Sequence, residues 1–141
     1  MSSLRPEHQL RFLLGAIGLL DLSALLVVFV PLAALTTATR RLGLEPLPDV
    51  PLTQYMLRTA SALYALHGAT LLFLARDVAA HRAVIGFLAG AALVHGSVVQ
   101  GVMWAAEMPR WWQVMEALGY FGPALATLWL LRKLPAVATS R

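Results

Sequence analysis

Four long apolar segments constrain the fold of this chain more than any other feature of its sequence. They cover residues 10–35, 53–75, 82–106 and 111–131. Each segment provides the roughly 20 mainly apolar residues that an α-helix needs to cross a bilayer. The apolar residues run continuously instead of alternating with polar ones, which favours helices over membrane-spanning strands. The sequence therefore predicts an all-α, polytopic integral membrane protein with four transmembrane helices.

The connections between these segments predict how the helices are arranged. The second and third connections, residues 76–82 and 107–110, are short and polar. Short turns force neighbouring helices to run antiparallel, so we expect an up-down-up-down bundle that forms one domain over residues 1–141. The first connection, residues 36–52, is rich in proline and is expected to be an irregular extracytoplasmic loop.

The composition agrees with a membrane protein. Only 13% of the 141 residues are charged and 59% are hydrophobic, which is too little charge for the surface of a soluble domain. The net charge of +4 does not indicate nucleic-acid binding, because the arginines flank the apolar segments. The absence of cysteine excludes disulfides, thiolate metal sites and iron–sulfur clusters. The first segment is longer than a signal-peptide core, so we expect it to be retained as a membrane helix.

The basic residues predict the orientation of the helices, because the side with more lysine and arginine faces the cytoplasm. In the alternating topology seven basic residues share one side, namely Arg5, Arg11, Arg76, Arg82, Arg132, Lys133 and Arg141. Three lie on the other side, namely Arg40, Arg41 and Arg110. We therefore expect a multi-pass membrane protein with both termini in the cytoplasm. Trp104, Trp111 and Trp112 are expected to form an aromatic belt at the outer interface, with Trp129 near the inner one.

Ionisable residues inside the predicted helices are the first candidates for function, since each is costly in a bilayer unless it has a partner. A rise of about 1.5 Å per residue places Asp21, His67 and His95 near one level of the membrane. Tyr64 precedes His67 by one helical turn and shares its face. We interpret these four residues as candidates for ligand binding or proton relay. Structural hydrogen bonding is the alternative interpretation.

A second polar group is expected closer to the outer side of the membrane. Arg58 and Glu116 lie at similar depth and are predicted to form an ion pair, to which Gln100 adds a hydrogen bond. This group would act as a structural clamp or as a gate for a ligand. Arg58 and His67 lie about half a turn apart in angle, so the two polar groups use opposite faces of their helix.

The sequence leaves the cofactor open. Two histidines on adjacent antiparallel helices fit axial ligation of a haem, which makes His67 and His95 candidate ligands of haem b. No other metal site is predicted. The chain contains no Gly-x-Ser-x-Gly, phosphate-loop or HExxH motif, so no catalytic residue is predicted and an enzyme is the less favoured interpretation.

Small residues and prolines predict where helices touch and bend. One stripe along the third segment consists of Ala83, Gly86, Gly90, Val94, Ser97 and Gly101. Such a stripe permits close approach of backbones, either inside the bundle or between two copies of the chain. Gly15 and Gly18 in the first segment and Gly119 and Gly122 in the fourth are expected to serve likewise. Pro31 and Pro123 are expected to bend their helices.

Two stretches carry a resemblance to a known family. One is RFLLGAIGLLDLSALL, in which Arg11 leads into Gly15 and Gly18, and the other is RTASALYALHGATLLFLARD, which ends in a short basic turn. With the predicted topology, they resemble the DoxX-like small four-helix membrane proteins of bacteria. The resemblance implies a mostly uncharacterised family, some members of which accompany quinone-linked redox complexes. It carries no role over to Asp21, His67 or His95.

Three classes of function fit these observations. The favoured class is a non-enzymatic accessory or assembly subunit that forms a homo- or hetero-oligomer with other membrane proteins. The second is a binding or proton-coupled transport protein with a polar intramembrane pocket, which would have to be oligomeric because four helices leave little room for alternating access. The third is a haem- or quinone-binding redox subunit or a lipid-modifying enzyme.

Overall fold

The computed structural model describes residues 6–135, and this part of the chain is all-α without a strand. Its elements are α1 (Pro6–Ser23), a 3₁₀ helix (Ala24–Phe29), α2 (Leu32–Arg41), α3 (Pro51–Leu74), α4 (Arg82–Ala105) and α5 (Arg110–Lys133). The all-α prediction is confirmed for these residues. Arg5 and Arg141, which enter the predicted charge asymmetry, lie outside them.

Three helical stretches among residues 6–135 are long and apolar enough to cross a membrane, namely Pro6–Phe29, Arg82–Ala105 and Arg110–Lys133. Each has 24 residues, which corresponds to about 36 Å of helix and exceeds the roughly 30 Å of a hydrocarbon core. Helix α3 also has 24 residues but is not among the three. It carries Arg58, Tyr64 and His67, whose polar groups lower its hydropathy. The four-span bundle therefore stays a prediction.

The first predicted helix, residues 10–35, does not continue to its expected end. It tightens into the 3₁₀ helix after Ser23, and the chain is extended at Val30 (φ −74°, ψ 131°) before α2 begins at Leu32. Pro31 explains the interruption, because it has no backbone N–H to donate and it disfavours a helical conformation in the residue before it. The expected bend at this proline is a complete break.

The predicted start of the loop 36–52 is wrong. Residues 36–41 belong to helix α2 instead. The alanines, leucines and arginines of Leu32–Arg41 as a whole favour a helix, which starts directly after Pro31. The helix ends at Gly43, which adopts a positive φ of 73°. The N–H of Gly43 bonds to the carbonyl of Arg40, and that of Leu44 to Thr39. This is the Schellman arrangement that terminates helices. Of the predicted loop 36–52, only residues 42–50 lack helical structure.

Contacts within the chain group it into two compact units. The α1–α3 unit comprises residues 16–72. The α4–α5 unit comprises, in the described part of the chain, residues 6–15 and 73–135. Each unit holds its own polar contacts and is described separately below. The prediction of one domain over residues 1–141 stays a prediction.

The α4–α5 unit is built on an antiparallel helix pair joined by a tight turn. Glu107 has a positive φ of 52° and ends α4, with hydrogen bonds from its N–H to Trp104 and from the N–H of Met108 to Met103. Pro109 is the N-cap residue of α5. Helix α5 then runs through Pro123 without interruption to Lys133. Ile85, Ala89 and Leu130 are among the residues buried on this pair.

Large apolar side chains cover the outside of the molecule. Phe12, Phe29 and Trp104 are 79%, 78% and 77% exposed, and many leucines and valines of the four long helices are also exposed. A soluble protein rarely exposes so many large apolar side chains. The exposed side chains and the three candidate spans together indicate contact with a lipid bilayer.

Candidate functional site

The site in the α1–α3 unit begins with a close crossing of two helices at glycine. A Cβ atom at Gly68 of α3 would lie 2.5 Å from the carbonyl oxygen of Gly18 in α1, and would also overlap the backbone nitrogen of Leu22. A Cβ at Gly18 would lie 2.9 Å from the carbonyl oxygen of Gly68. The two backbones therefore touch at this point, which only glycine permits on both sides.

The crossing brings Asp21 and His67 together. Asp21 follows Gly18 by three residues on the same helix face, and His67 directly precedes Gly68. The Nδ1 atom of His67 lies 2.8 Å from Oδ2 of Asp21. The sequence predicts both residues near one membrane level, and the structure places their side chains in direct contact.

The contact determines which atoms of the two side chains remain for other hydrogen bonds. One proton lies between Nδ1 and the carboxyl oxygen, whichever atom carries it. A hydrogen bond at Nδ1 orients the imidazole and leaves Nε2 as the ring atom for any further interaction. Among the described residues Nε2 has no hydrogen-bond partner. The His67 side chain is 44% exposed and that of Asp21 is 18% exposed. The pair is thus an oriented acid–imidazole couple with its histidine side open.

Tyr64 lies one turn before His67 on α3 and is 44% exposed. Its position on the helix face of His67 agrees with the predicted grouping of the two residues. The phenol adds a hydrogen-bonding group that is apolar over most of its surface, which suits a site bordered by lipid.

His95, the fourth candidate, belongs to the α4–α5 unit. Its ring packs edge-on against Tyr120 of α5, with centroids 5.3 Å apart and planes at 75°. The neighbouring Gly96 makes this contact possible, because a Cβ there would lie 2.8 Å from Cβ of Tyr120. Asp21 and His67 lie in the other unit, so a shared layer with His95, and haem ligation by the two histidines, stay predictions.

The predicted ion-pair group is also divided between the units. Arg58 lies in the α1–α3 unit, where it lines a small cavity with Val27, Val30, Gln54 and other residues. Glu116 is partly buried in the α4–α5 unit. Their ion pair therefore stays a prediction. Gln100 donates a hydrogen bond of 3.0 Å to the backbone carbonyl of Gln113. Gln113 in turn donates to the carbonyl of Met108 at 2.7 Å.

The glycines at helix contacts are largely not the ones that the sequence patterns indicated. A Cβ at Gly15, Gly90, Gly101, Gly119 or Gly122 would meet no atom within 4 Å beyond its chain neighbours and the backbone of its own helix, and one at Gly86 would make only an ordinary contact of 3.6 Å with Leu131. Of the predicted positions only Gly18 lies at a close crossing. The missed positions, Gly68 and Gly96, share a sequence signal: each directly follows a histidine inside an apolar helix.

The metal-binding capacity of the site is small. Among the described residues no group of three or more histidine, cysteine, aspartate or glutamate side chains could hold a metal ion. Asp21 and His67 alone provide two donor groups, fewer than the three protein ligands that a catalytic zinc site uses. The arrangement suits hydrogen bonding and proton binding better than ligation of a metal by this unit.

A double-mutant cycle measures the Asp21–His67 contact. We expect Asp21→Ala and His67→Ala each to lower the free energy of unfolding, with a coupling energy of about 1 kcal/mol, the size found for hydrogen bonds between membrane helices. The measurement is unfolding in mixed micelles of mild detergent and sodium dodecyl sulfate. Strictly additive effects of the two substitutions would show that the contact contributes nothing.

Comparisons with models of protein families, with curated proteins and with solved structures gave no match for this chain.

Proposed function

We propose that the chain is a small multi-pass subunit of the bacterial inner membrane, without catalytic activity of its own, that assembles with other membrane proteins. In this proposal α3 joins the three candidate spans, the helices run up-down-up-down, and both termini face the cytoplasm. The observation that most directly supports this proposal is the exposure of the His67 side chain, 44%, in the Asp21–His67 pair. A half-exposed imidazole facing lipid tails is costly, so a polar group from a partner helix is the natural cover.

The open stripe on α4 supports assembly as well. Gly90 and Gly101 meet no atom within 4 Å, and Ala83, Val94 and Ser97 are exposed. Small residues of this kind let a second helix approach closely in a bilayer. The stripe therefore favours a contact between chains over packing inside one chain. If the DoxX-like resemblance holds, quinone-linked redox complexes are the expected partners.

A second candidate function is the binding of a small ligand or proton at the same pair. It is favoured by the hydrogen bond at Nδ1, which leaves Nε2 as the second ring nitrogen of an imidazole whose side chain is 44% exposed. Such an imidazole accepts a hydrogen bond from a hydroxyl group or takes up a proton.

Reporter fusions test the topology. Alkaline phosphatase is active only outside the cytoplasm, whereas green fluorescent protein exported in unfolded form stays dark. We expect phosphatase activity for a fusion after Glu45 and fluorescence for a fusion after Pro135. The reverse pattern would contradict the proposed orientation.

Photo-crosslinking separates the two functions. We would place benzoylphenylalanine at Leu66, which neighbours His67 and is 64% exposed, and at Phe87, which is 73% exposed on α4, as a control. A polypeptide adduct specific to Leu66 supports the subunit proposal. An adduct with the mass of a small molecule supports ligand binding instead.

A further inference from the structure

Helix α2 has two faces with different surroundings. Leu32 and Leu35 are half-buried and line a small cavity together with Leu57 and Arg58 of α3. Ala34, Thr37 and Ala38, on the other face, are exposed. With respect to residues 6–135, helix α2 is therefore packed on one side only, and its second face is exposed.

The free face forms an open groove of about 590 Å³, lined by Ala34, Thr37, Ala38, Arg41 and Leu42. Most of these side chains are small or apolar. The hydroxyl group of Thr37 is already bonded to the carbonyl of Ala33 at 2.8 Å. The groove is thus a shallow, open and mainly apolar face of the helix with one cationic group, Arg41, near its end.

The position of α2 in the chain places this groove at a membrane surface. It begins three residues after Phe29, where the first candidate span ends. The residues of α3 that share its small cavity, Gln54, Leu57 and Arg58, lie in the first two turns of α3. In the proposed topology both points mark the outer end of the bilayer. Ala34 is then nearer the hydrocarbon and Arg41 nearer the headgroups.

The charge of α2 has no internal counterpart. Within residues 6–135, neither Arg40 nor Arg41 forms a hydrogen bond through its side chain or an ion pair. Of the two acids that follow in the chain, Asp49 accepts a hydrogen bond from Gln54 at 3.3 Å. Two adjacent guanidinium groups at a membrane surface attract an anion, and their fork geometry matches a phosphate.

We propose that the α2 groove binds an anionic phospholipid of the outer leaflet. Arg41 holds its phosphate, the neighbouring Arg40 adds positive charge at the same end of the helix, and one acyl chain lies against Ala34, Ala38 and Leu42. The order of groups along α2 fits such a molecule, since the cationic end lies farther from the span than the apolar end. This inference rests on the proposed function, because it requires α2 to lie at the bilayer surface.

Site-specific quenching tests the proposal, and the absence of native cysteine makes the labelling simple. Ala33→Cys, at an exposed position beside the groove, would carry a bimane fluorophore. The labelled full chain is reconstituted into vesicles with brominated phosphatidylglycerol or brominated phosphatidylcholine at equal mole fraction. We expect stronger quenching by phosphatidylglycerol, and a selectivity that falls about fivefold for each arginine changed in Arg40→Gln and Arg41→Gln.

Two further variants locate the effect. Ala38→Trp fills the groove without changing charge and is expected to lower quenching by both lipids. Arg76→Gln with Arg132→Gln removes two basic residues elsewhere and should leave the selectivity unchanged. Equal quenching by both lipids in the parent protein would overturn the lipid site. So would a loss of selectivity in the Arg76→Gln, Arg132→Gln control as large as that in the Arg40→Gln and Arg41→Gln variants. Quenching by neither lipid would show that α2 lies away from the bilayer, and would overturn the proposed topology itself.

Discussion

Replacing Gly68 with valine is expected to lower the free energy of unfolding by about 3 kcal/mol, the upper part of the usual range for overpacking. The new Cβ would meet the carbonyl oxygen of Gly18 and the backbone nitrogen of Leu22. These are backbone atoms of a helix, so they cannot rotate away as the end of a side chain would. The crossing of α1 and α3 would have to open instead.

The consequence for the site follows from the same geometry. If the two helices separate at Gly68, the 2.8 Å contact between Asp21 and His67 is lost as well. We therefore expect the coupling energy between these residues to vanish in the Gly68→Val background. This second measurement distinguishes a displaced helix from a general loss of stability.

Gly15→Val in α1 provides the matched control. It makes the same chemical change in an apolar helix, but a Cβ there would meet no atom within 4 Å. Valine is also a slightly better helix former than glycine, so this variant should be neutral or mildly stabilising. Equal unfolding of the two variants in a detergent titration would contradict the crossing at Gly68.

The sequence predicts the helices of this protein well because apolar length is a direct physical requirement for crossing a bilayer. It fails around Pro31, where one apolar run contains both a span and a separate helix. Run length does not distinguish these, since Leu32–Arg41 begins with the same residue types that end the span. The proline was the available signal, but it indicated a bend as readily as a break.

Part of the candidate site can be predicted from the sequence for a similar physical reason. An acid and a histidine inside apolar helices must find partners, so their proximity follows from depth alone, and Asp21 and His67 are in contact. Which glycines lie at the helix crossings depends on the rotation of each helix about its axis, which spacing patterns do not determine. Gln113 was missed because its backbone carbonyl is the acceptor for Gln100, and every residue has such a group.

The second prediction with a large expected effect concerns Arg82, which connects the start of α4 to the end of α5. Its guanidinium group donates to the carbonyl of Leu131 at 2.7 Å and to that of Pro135 at 2.8 Å. The last carbonyls of a helix have no partner within the helix, and a cation there also interacts favourably with the helix dipole. One side chain at the start of α4 thus caps the end of α5.

We expect Arg82→Met to lower the free energy of unfolding by about 2 kcal/mol, since it removes two charge-assisted hydrogen bonds at a partly solvated site. The free energy of unfolding of Arg82→Lys should lie between those of the parent protein and Arg82→Met, because a lysine keeps the charge but lacks the planar guanidinium group. Arg132→Met is the matched control: it removes the same charge from an exposed residue in the last turn of α5. Hydrogen exchange should also accelerate at the amide of Leu134, which bonds to the carbonyl of Leu131. If Arg132→Met destabilised the chain as much as Arg82→Met, net charge and not the cap would hold this end together.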